Sequence, residues 1–485
     1  MYSKKIIKRF QNPKFSGEMD DADSIGEVGN IKCGDIMRVY IKVGKNKNGK
    51  EVIKDIRFKT YGCLPPEERV LINEGDWQEI NKLSKSEVVL NGDGKNTTIK
   101  RMYERNYKGL LLKFIPFVSP YNSFYTTPEH PILCIQRPIL KNIKTNSRCP
   151  WLRINHKELL STKPYYTEAW NLKLGDYLIF TYNKKNKDNK LYTKSFLRLI
   201  GYYLAEGYIS AKGATSCFSF NKNEMGYIDE VKYLIKEITG KEAKSRVRKN
   251  VEEVYINSRD FVRKLLKIAG KLARKKKLSE EIMLLPPKKQ IEVIETYLNG
   301  DGDEYIRRKN NSPTYRLATA SEDLAIQFQE ILARNNIFSS ITKRKREGHI
   351  IEGRFIKGGD LFIISYKKER KHKFVHSTNK YFLVPIKEIQ KEEYRGKVYN
   401  FEVSSKPNSY LVKGFVVHNC VAAIASSDYL CEIAKGKTLE QALNITSKDI
   451  IKKMGNVPQI KIHCSVLAQN ALKKAIEEYK KKHKK

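Results

Sequence analysis

The chain has 485 residues, 93 Lys and Arg against 54 Asp and Glu, a formal net charge of +39, 8 Cys and 8 His. That length implies several domains with ample buried cores. At 40% hydrophobic and 10% aromatic residues it is too apolar for a disordered polycation, and its Gly and Pro are too few for a collagen-like or linker-dominated chain.

There is no apolar run of membrane-spanning length, and the first ten residues lack the apolar stretch and small-residue cleavage site of a secretory signal. A cytoplasmic protein without a membrane partner is therefore expected. Eight cysteines over so long a chain do not make a secreted disulfide framework, so reduced thiols serving metal or nucleophile chemistry are expected. The excess positive charge fits nucleic-acid contact through phosphate neutralisation. Solvated helix faces give the same count, and the lysine-rich tail reads as a soluble end.

Residues 1–62 read as a helix-like start, an acidic turn from Glu18 to Asp23, and alternating strand patterns at 37–43 and 52–60 joined by a hairpin at 45–50. This is the front of a small α+β domain. From Cys63 the texture changes to short β-type runs at 70–72, 109–117, 131–135 and 176–180, resuming at 381–386 and 398–417. That pattern predicts an all-β module split in two. Between its halves, residues 187–375 mix helices with strands and contain two similar stretches, 199–207 and 294–302, which suggest a duplicated unit. After Cys420 the pattern turns helical at 421–430, 439–443 and 466–479, as if the α+β domain continued after an interruption.

The two changes of texture carry chemistry. Val416, Val417, His418, Asn419 and Cys420 close the β module, Cys63 opens it, and Thr127, Pro128, Glu129 and His130 lie between. A thiol at position 63 can attack the Gly62 carbonyl and turn an amide into a thioester, an uphill step unless the departing amine is protonated. His130 is placed for that proton, and Thr127 for a hydrogen bond to the carbonyl oxygen as charge develops. Cys420 can capture the acyl group by thioester exchange. The Asn419 side-chain amide can then attack its own main-chain carbonyl to form a succinimide, with His418 polarising that carbonyl or protonating the leaving group. The last shift, thioester to amide, is downhill, so neither cofactor nor nucleotide is needed.

Taken singly, a lone cysteine is usually a small buried hydrophobe and a lone histidine a structural one. Their order and placement carry the reading. Together with the stretch from Val398 to Val403, they resemble an intein covering residues 63–419. The resemblance implies a Hint, horseshoe-like splicing fold. Asn400 stands where many inteins have Asp; it cannot act as a carboxylate acid or base, but it can orient Cys420.

Deleting 63–419 joins Gly62 to Cys420 and leaves 128 residues. Phe10-Gln11-Asn12-Pro13, Gly26-Glu27-Val28-Gly29-Asn30, Cys33-Gly34-Asp35, Phe58 to Gly62 with Cys420, and His463-Cys464 resemble the U-type iron-sulfur scaffold family, the NifU/IscU N-terminal domain. The resemblance implies cluster ligation by Cys33, Cys420 and Cys464 with Asp35 and His463 beside them. The implied cargo is a [2Fe-2S] cluster, with Zn as the alternative, and the implied partners are a cysteine desulfurase and cluster-accepting apoproteins. Thiolates are soft ligands suited to either metal. The spacing of the cysteines alone is no metal signature. Cys134, Cys149, Cys217 and Cys431 read as packing residues. Because Cys420 would serve both as splicing nucleophile and as ligand, an unspliced precursor is expected to be a defective scaffold.

The two repeated stretches end in Glu206-Gly207 and Asp301-Gly302 and resemble LAGLIDADG homing-endonuclease motifs. That family implies paired helices that bring two carboxylates together on Mg ions for phosphodiester cleavage, with strands lying in the major groove of double-stranded DNA. The helix pattern at 320–332 and the basic segments 244–249 and 343–346 fit, and Lys277 is matched to the family's basic residue. Thr296 stands where the first stretch has Gly201, which works against close packing.

The expected architecture is multidomain: an α+β scaffold (1–62 and 420–485), split by an all-β splicing module (63–186 and 376–419), itself interrupted by an α/β endonuclease of two pseudo-repeats (187–375). The alternatives are a metal-binding scaffold with an inert insertion and a basic multidomain DNA-binding protein.

Overall fold

The computed structural model describes residues 9, 13–17, 19–30, 35–59, 63–72, 75–137, 154–210, 212–306, 313–351, 354–356, 358–368, 374–405, 408–418, 421–455 and 462–483, a few of them by backbone alone. The expected helix-like start lies almost wholly outside these, as do Cys33, Gly62, Cys149, Asn419 and Cys420.

Near the amino end, strands Ser24–Asn30, Asp35–Lys45 and Glu51–Lys59 form an antiparallel sheet in sequence order. Alternation buries Met37, Val39 and Ile41 from one strand and Ile56 and Phe58 from another. Over that apolar face pack helices Val421–Ala434, Leu439–Leu443, Ser447–Met454 and Ile462–His483, contributing Ala425, Leu430, Ala468 and Leu472 to one core. The two ends of the chain thus build a single body across the intervening residues. Sequence patterning missed strand Ser24–Asn30, which has two glycines and two aliphatic residues. It also missed helix Ser447–Met454, a short element started by a reciprocal capping box between Thr446 and Asp449.

Gly26 explains how the sheet and its longest helix approach so closely. A Cβ there would overlap the Ala471 carbonyl oxygen and the Ala475 backbone, while Ser24 Oγ donates to Ala475 O at 2.8 Å. Gly26→Ala is expected to cost about 2–3 kcal/mol locally. The check is amide exchange, which should accelerate in helix Ile462–His483 and leave the interior strands unchanged.

The second body is a 12-stranded antiparallel sheet. Its path runs through Trp77–Glu79, Arg69–Leu71, Ser409–Val412, Phe415–His418, Pro131–Ile135, Tyr177–Phe180, Phe382–Val403, Asn96–Pro116 and Val88–Leu90. Strands from before residue 181 interleave with strands from after 375, so both halves share one core that includes Leu64, Ile132, Leu178, Val384 and Val417. Two strands of 21 and 22 residues, Asn96–Pro116 and Phe382–Val403, pair along most of their length. Tyr103 of this ribbon is buried in the core of the end-built body, and Arg38 lies 4.0 Å from Glu168. Among the described residues the sheet carries a six-residue helix, His156–Ser161, so the expectation of an all-β module is corrected to a β sheet with a short helix. Asn155 starts that helix by accepting the Glu158 N–H.

The duplication expected between the halves is present. Helix Lys194–Glu206, strands Gly207–Ile209 and Thr215–Asn221, helix Met225–Thr239 and strands Lys244–Arg248 and Val251–Asn257 form the first unit. Helix Pro287–Asp301, strands Gly302–Ile306 and Pro313–Thr319, helix Glu322–Arg334 and strands Ser339–Arg346 and Gly359–Tyr366 repeat it. Both four-stranded sheets have the same strand order. The obstacle expected at Thr296 does not arise, because Gly201 faces it. A Cβ on Gly201 would overlap Thr296 Oγ1 and lie 2.6 Å from Val293 O. Thr296 fills that space and donates its hydroxyl to Glu292 O at 2.9 Å. At this crossing point a glycine on one helix makes room for the threonine on the other.

Candidate functional sites

Cys63 is buried, 1% exposed. Its main-chain N–H donates to Thr127 Oγ1 at 2.9 Å and its carbonyl accepts the Thr127 N–H at 3.0 Å. Thr127 therefore brackets Cys63 and accepts from the nitrogen of the 62–63 bond. The Gly62 carbonyl oxygen, where the sequence reading placed its hydroxyl, lies outside the described residues, and the accepting hydroxyl keeps its own proton to donate. His130 belongs to the same turn, donating its N–H to Thr127 O at 3.0 Å. Its fully buried ring meets Tyr410 edge-on, centroids 6.4 Å apart.

Leu64 and Tyr399 exchange backbone hydrogen bonds of 2.9 and 2.7 Å, which brings Cys63 alongside Asn400. Asn400 Oδ1 accepts from Tyr410 OH at 3.2 Å and from the Phe401 N–H at 2.8 Å. Burial, with Cys63 nearby, holds the Tyr410 hydroxyl well above its usual range, so it is a neutral donor. Burial also pushes the Cys63 thiol up, against the pull of a hydrogen-bonded Arg105 guanidinium. Burial would lower Arg105, but Cys63 and Glu129 more than offset it. Sequence reasoning assigned no role to Arg105, Tyr410 or Glu129. Glu129 lies inside the turn motif already singled out; the other two are mid-strand or strand-end residues with no local pattern.

The strand that precedes the second junction approaches the same place. Val417 pairs with Ile132, in the strand that begins directly after His130. His418 pairs with Ser409, is 5% exposed and sets its ring against Tyr166 at 4.9 Å. Cys63, His130 and His418 are thus gathered at one end of one sheet.

Glu206 and Asp301 are the last residues of the two paired helices. A Cβ on Gly300 would lie 3.0 Å from Glu206 Oε1, so the carboxylates face each other across the closest helix contact. Burial and then the opposing Asp301 push the Glu206 carboxyl up to about 7. Burial also raises Asp301, against Lys276 and a hydrogen bond from Tyr297. Two opposed acids, Glu206 partly exposed and Asp301 exposed at the helix ends, resist ionising together and could hold a hard cation on their oxygens.

The basic residue here is Lys276, not Lys277, a correction to the sequence reading. Lys276 is 6% exposed and donates to Tyr203 O, Leu204 O and Gly207 O at 2.8, 2.9 and 2.7 Å. Burial brings its ammonium down to about 8, against the two carboxylates. Lys277 points the other way, 3.2 Å from Asp76. In the run Arg274-Lys275-Lys276-Lys277 no local cue says which cation faces inward. Strand Lys244–Arg248 is exposed throughout and Lys343, Arg344, Lys345 and Arg346 are exposed on its counterpart. Both are edge strands of their sheets, and both are basic.

In the end-built body, Asp35 opens a strand, and His463 and Cys464 sit in the first turn of helix Ile462–His483. Their side chains and the thiols of Cys33 and Cys420 lie outside the described residues. Asn30 pairs with Asp35 and Arg38 with Lys59, and Ser427 Oγ contacts Met37 Sδ at 3.1 Å. The Ala471 contact with Gly26 aims the start of helix Ile462–His483 toward the same end of the sheet. The described backbone of Asp35, His463 and Cys464 is therefore brought to one end of the sheet. Among the described residues, no three His, Cys, Asp or Glu side chains are grouped to hold a metal ion. Cys134, Cys217 and Cys431 are buried. Among the described residues no helix is long and apolar enough to cross a membrane.

Comparisons with known proteins divide along the same lines. The NifU-like N-terminal domain family matches residues 1–65 and 409–485, and the LAGLIDADG-like domain family matches residues 288–374. An iron-sulfur cluster assembly SufBD family protein of Mycobacterium bovis is 32% identical over 376 residues, 76% of this chain and 44% of its own length. The iron-sulfur cluster assembly scaffold protein IscU 1 of Archaeoglobus fulgidus is 51% identical over 63 residues, 13% of this chain and 38% of its own. The chain spans less than half the length of these curated relatives. Among solved structures, a variant of the homing endonuclease I-DmoI aligns over 36% of this chain and 90% of its own at 11% identity, with a TM-score of 0.26. The two ends of the chain thus belong to the NifU-like N-terminal domain family, and they are interrupted by an interior that includes a LAGLIDADG domain.

Proposed function

We propose that the chain is a self-splicing precursor in which residues 63–419 form an intein of the Hint type. Excision joins Gly62 to Cys420 and releases a 357-residue insert and a 128-residue scaffold. The observation that carries this reading is the convergence of Cys63 and His418 on the turn Thr127–His130, at the boundary of a domain whose two sequence segments share one core. The SufBD relative supports it. An alignment covering 76% of this chain must take in much of 63–419, because the flanks hold only 128 residues. A counterpart of the insert therefore occurs in a protein named for a different assembly family.

In the first step Cys63 Sγ bonds to the Gly62 carbonyl carbon and the C–N bond breaks. Thr127 Oγ1, already accepting from that nitrogen, holds it while the departing amine takes a proton, the part assigned to His130. Cys420 Sγ then takes over the acyl group and the Cys63 thiol leaves. Asn419 Nδ2 closes on its own carbonyl carbon, with His418 assisting, and the Asn419–Cys420 amide breaks. The freed Cys420 amine finally captures the acyl group from its own sulfur.

The joined scaffold takes an iron-sulfur cluster, or Zn, as cargo on Cys33, Cys420 and Cys464 with Asp35 and His463. A cysteine desulfurase supplies the sulfur of the cluster and apoproteins receive the cluster. In the insert, Glu206 and Asp301 would hold Mg(II), which supplies water activation for phosphodiester hydrolysis of double-stranded DNA. Lys276 fixes the end of the first helix so that Glu206 stays opposite Asp301, and the basic edge strands bind phosphates. Incubation of the purified chain followed by intact-mass measurement is expected to show species of 357 and 128 residues. A chain that stays at 485 residues ends the splicing reading.

A further inference from the structure

We propose that Asp76, a residue of the splicing sheet, is a positioning residue for the nuclease centre: with Gln327 it clamps the segment that carries Lys276. The inference rests on the nuclease reading above and extends it to a residue outside the duplicated fold.

Asp76 directly precedes strand Trp77–Glu79 and is 9% exposed. Its Oδ1 accepts from Gln327 Nε2 at 3.1 Å, and its Oδ2 lies 3.2 Å from Lys277 Nζ. Gln327 is fully buried. Its Oε1 accepts the Leu278 N–H at 2.7 Å and its Nε2 also donates to Leu278 O at 2.9 Å. Ser321 Oγ donates to Lys276 O at 2.7 Å. Residues 276, 277 and 278 are therefore held one after another, the last two by Asp76 directly or through Gln327.

The held segment delivers the Lys276 ammonium to three carbonyl oxygens that end helix Lys194–Glu206 and start the next strand. Three hydrogen bonds from one amine admit little displacement. A shift of this segment moves the helix end and with it Glu206, and misplacement of about 1 Å at a reacting centre costs up to about 10²-fold in rate. Nor is the contact isolated. Arg69 and Tyr121 both meet Glu322, Trp77 stacks on Tyr121, and Asn122 Nδ2 donates to Gln329 Oε1 at 2.9 Å. The splicing sheet is thus seated on the second repeat along the whole of helix Glu322–Arg334. Asp76 lies within 63–419, so the clamp leaves with the insert and the nuclease centre is complete both before and after excision.

The test uses the full chain carrying Asp76→Ala or Asp76→Asn. Amide exchange at residues 276–278 is measured alongside binding and single-turnover cleavage of a duplex encoding the joined 62/420 junction. In Asp76→Ala, exchange at Leu278 is expected to rise about tenfold and cleavage to fall about tenfold, with duplex affinity unchanged. Asp76→Asn keeps an acceptor for Gln327 and is expected to restore most of the protection and rate. Unchanged protection at 276–278 in Asp76→Ala overturns the clamp. So does an unchanged cleavage rate once protection is lost, or a parallel loss of affinity, rate and protection throughout the fold. If the unsubstituted chain does not cut DNA, the nuclease reading fails by itself and the exchange measurement still decides whether Asp76 holds the segment.

Discussion

Cys63→Ala is expected to abolish the joined 128-residue product completely while leaving the sheet folded. In the proposed first step the Cys63 thiol is the nucleophile, and its backbone already makes both hydrogen bonds to Thr127. Alanine keeps those bonds and the small buried volume, so stability should change by less than about 1.5 kcal/mol. Thr127→Val is the graded companion. It removes the hydroxyl that holds the scissile nitrogen and is expected to slow product formation by about 10²-fold. Intact-mass time courses of the two variants separate these outcomes. Joined product from the Cys63→Ala chain would mean that the acyl shift starts elsewhere.

Glu206→Gln is expected to reduce Mg-dependent DNA cleavage by about 10³-fold or more, since a metal-bound carboxylate supplies several kcal/mol and each tenfold in rate is about 1.4 kcal/mol. The same substitution should make the fold more stable at neutral and alkaline pH. The Glu206 carboxyl is held at about 7 in the folded chain against an ordinary value of 4.5. Its contribution to stability is therefore fully present below pH about 4.5 and is lost as pH rises through about 7. Gln cannot ionise and escapes that loss, on the order of 2 kcal/mol after allowance for solvent. Above pH about 7 the variant should melt about 4–8 °C higher, with the difference closing toward pH about 4.5. Added Mg(II) should narrow it from the other side by binding the unsubstituted pair. A variant that cuts DNA normally, or that melts lower at pH 8, would remove Glu206 from the centre.

The turn beside Cys63 and the duplicated helices were legible because their signals lie in short stretches. Thr127 and His130 share one turn, and each acidic residue sits next to the glycine that ends its helix. What escaped depends on distant partners. Arg105 reaches Cys63 from mid-ribbon and Tyr410 from another strand, and neither has a neighbour in sequence that marks it. Lys276 and Lys277 differ only in which way an extended segment turns them, a choice made by Asp76 and Gln327 from other elements. The long ribbon was read as short runs because charged residues such as Lys100, Glu104 and Lys108 interrupt its apolar alternation. Thr296 looked obstructive for a related reason: whether a side chain blocks a helix contact depends on the residue opposite, and that residue is Gly201.

The core shared by the two ends of the chain bears on how the polypeptide is made. Met37, Val39, Ile41, Ile56 and Phe58 leave the ribosome without the helices that cover them. At about 5–20 residues per second, synthesis of the interior takes roughly 20–70 seconds. Throughout that interval a greasy sheet waits uncovered. A loop of such length, if slack, would charge its entropy to the late helices; an interior that has already condensed, with its own termini side by side, hands them their nascent counterpart at close range.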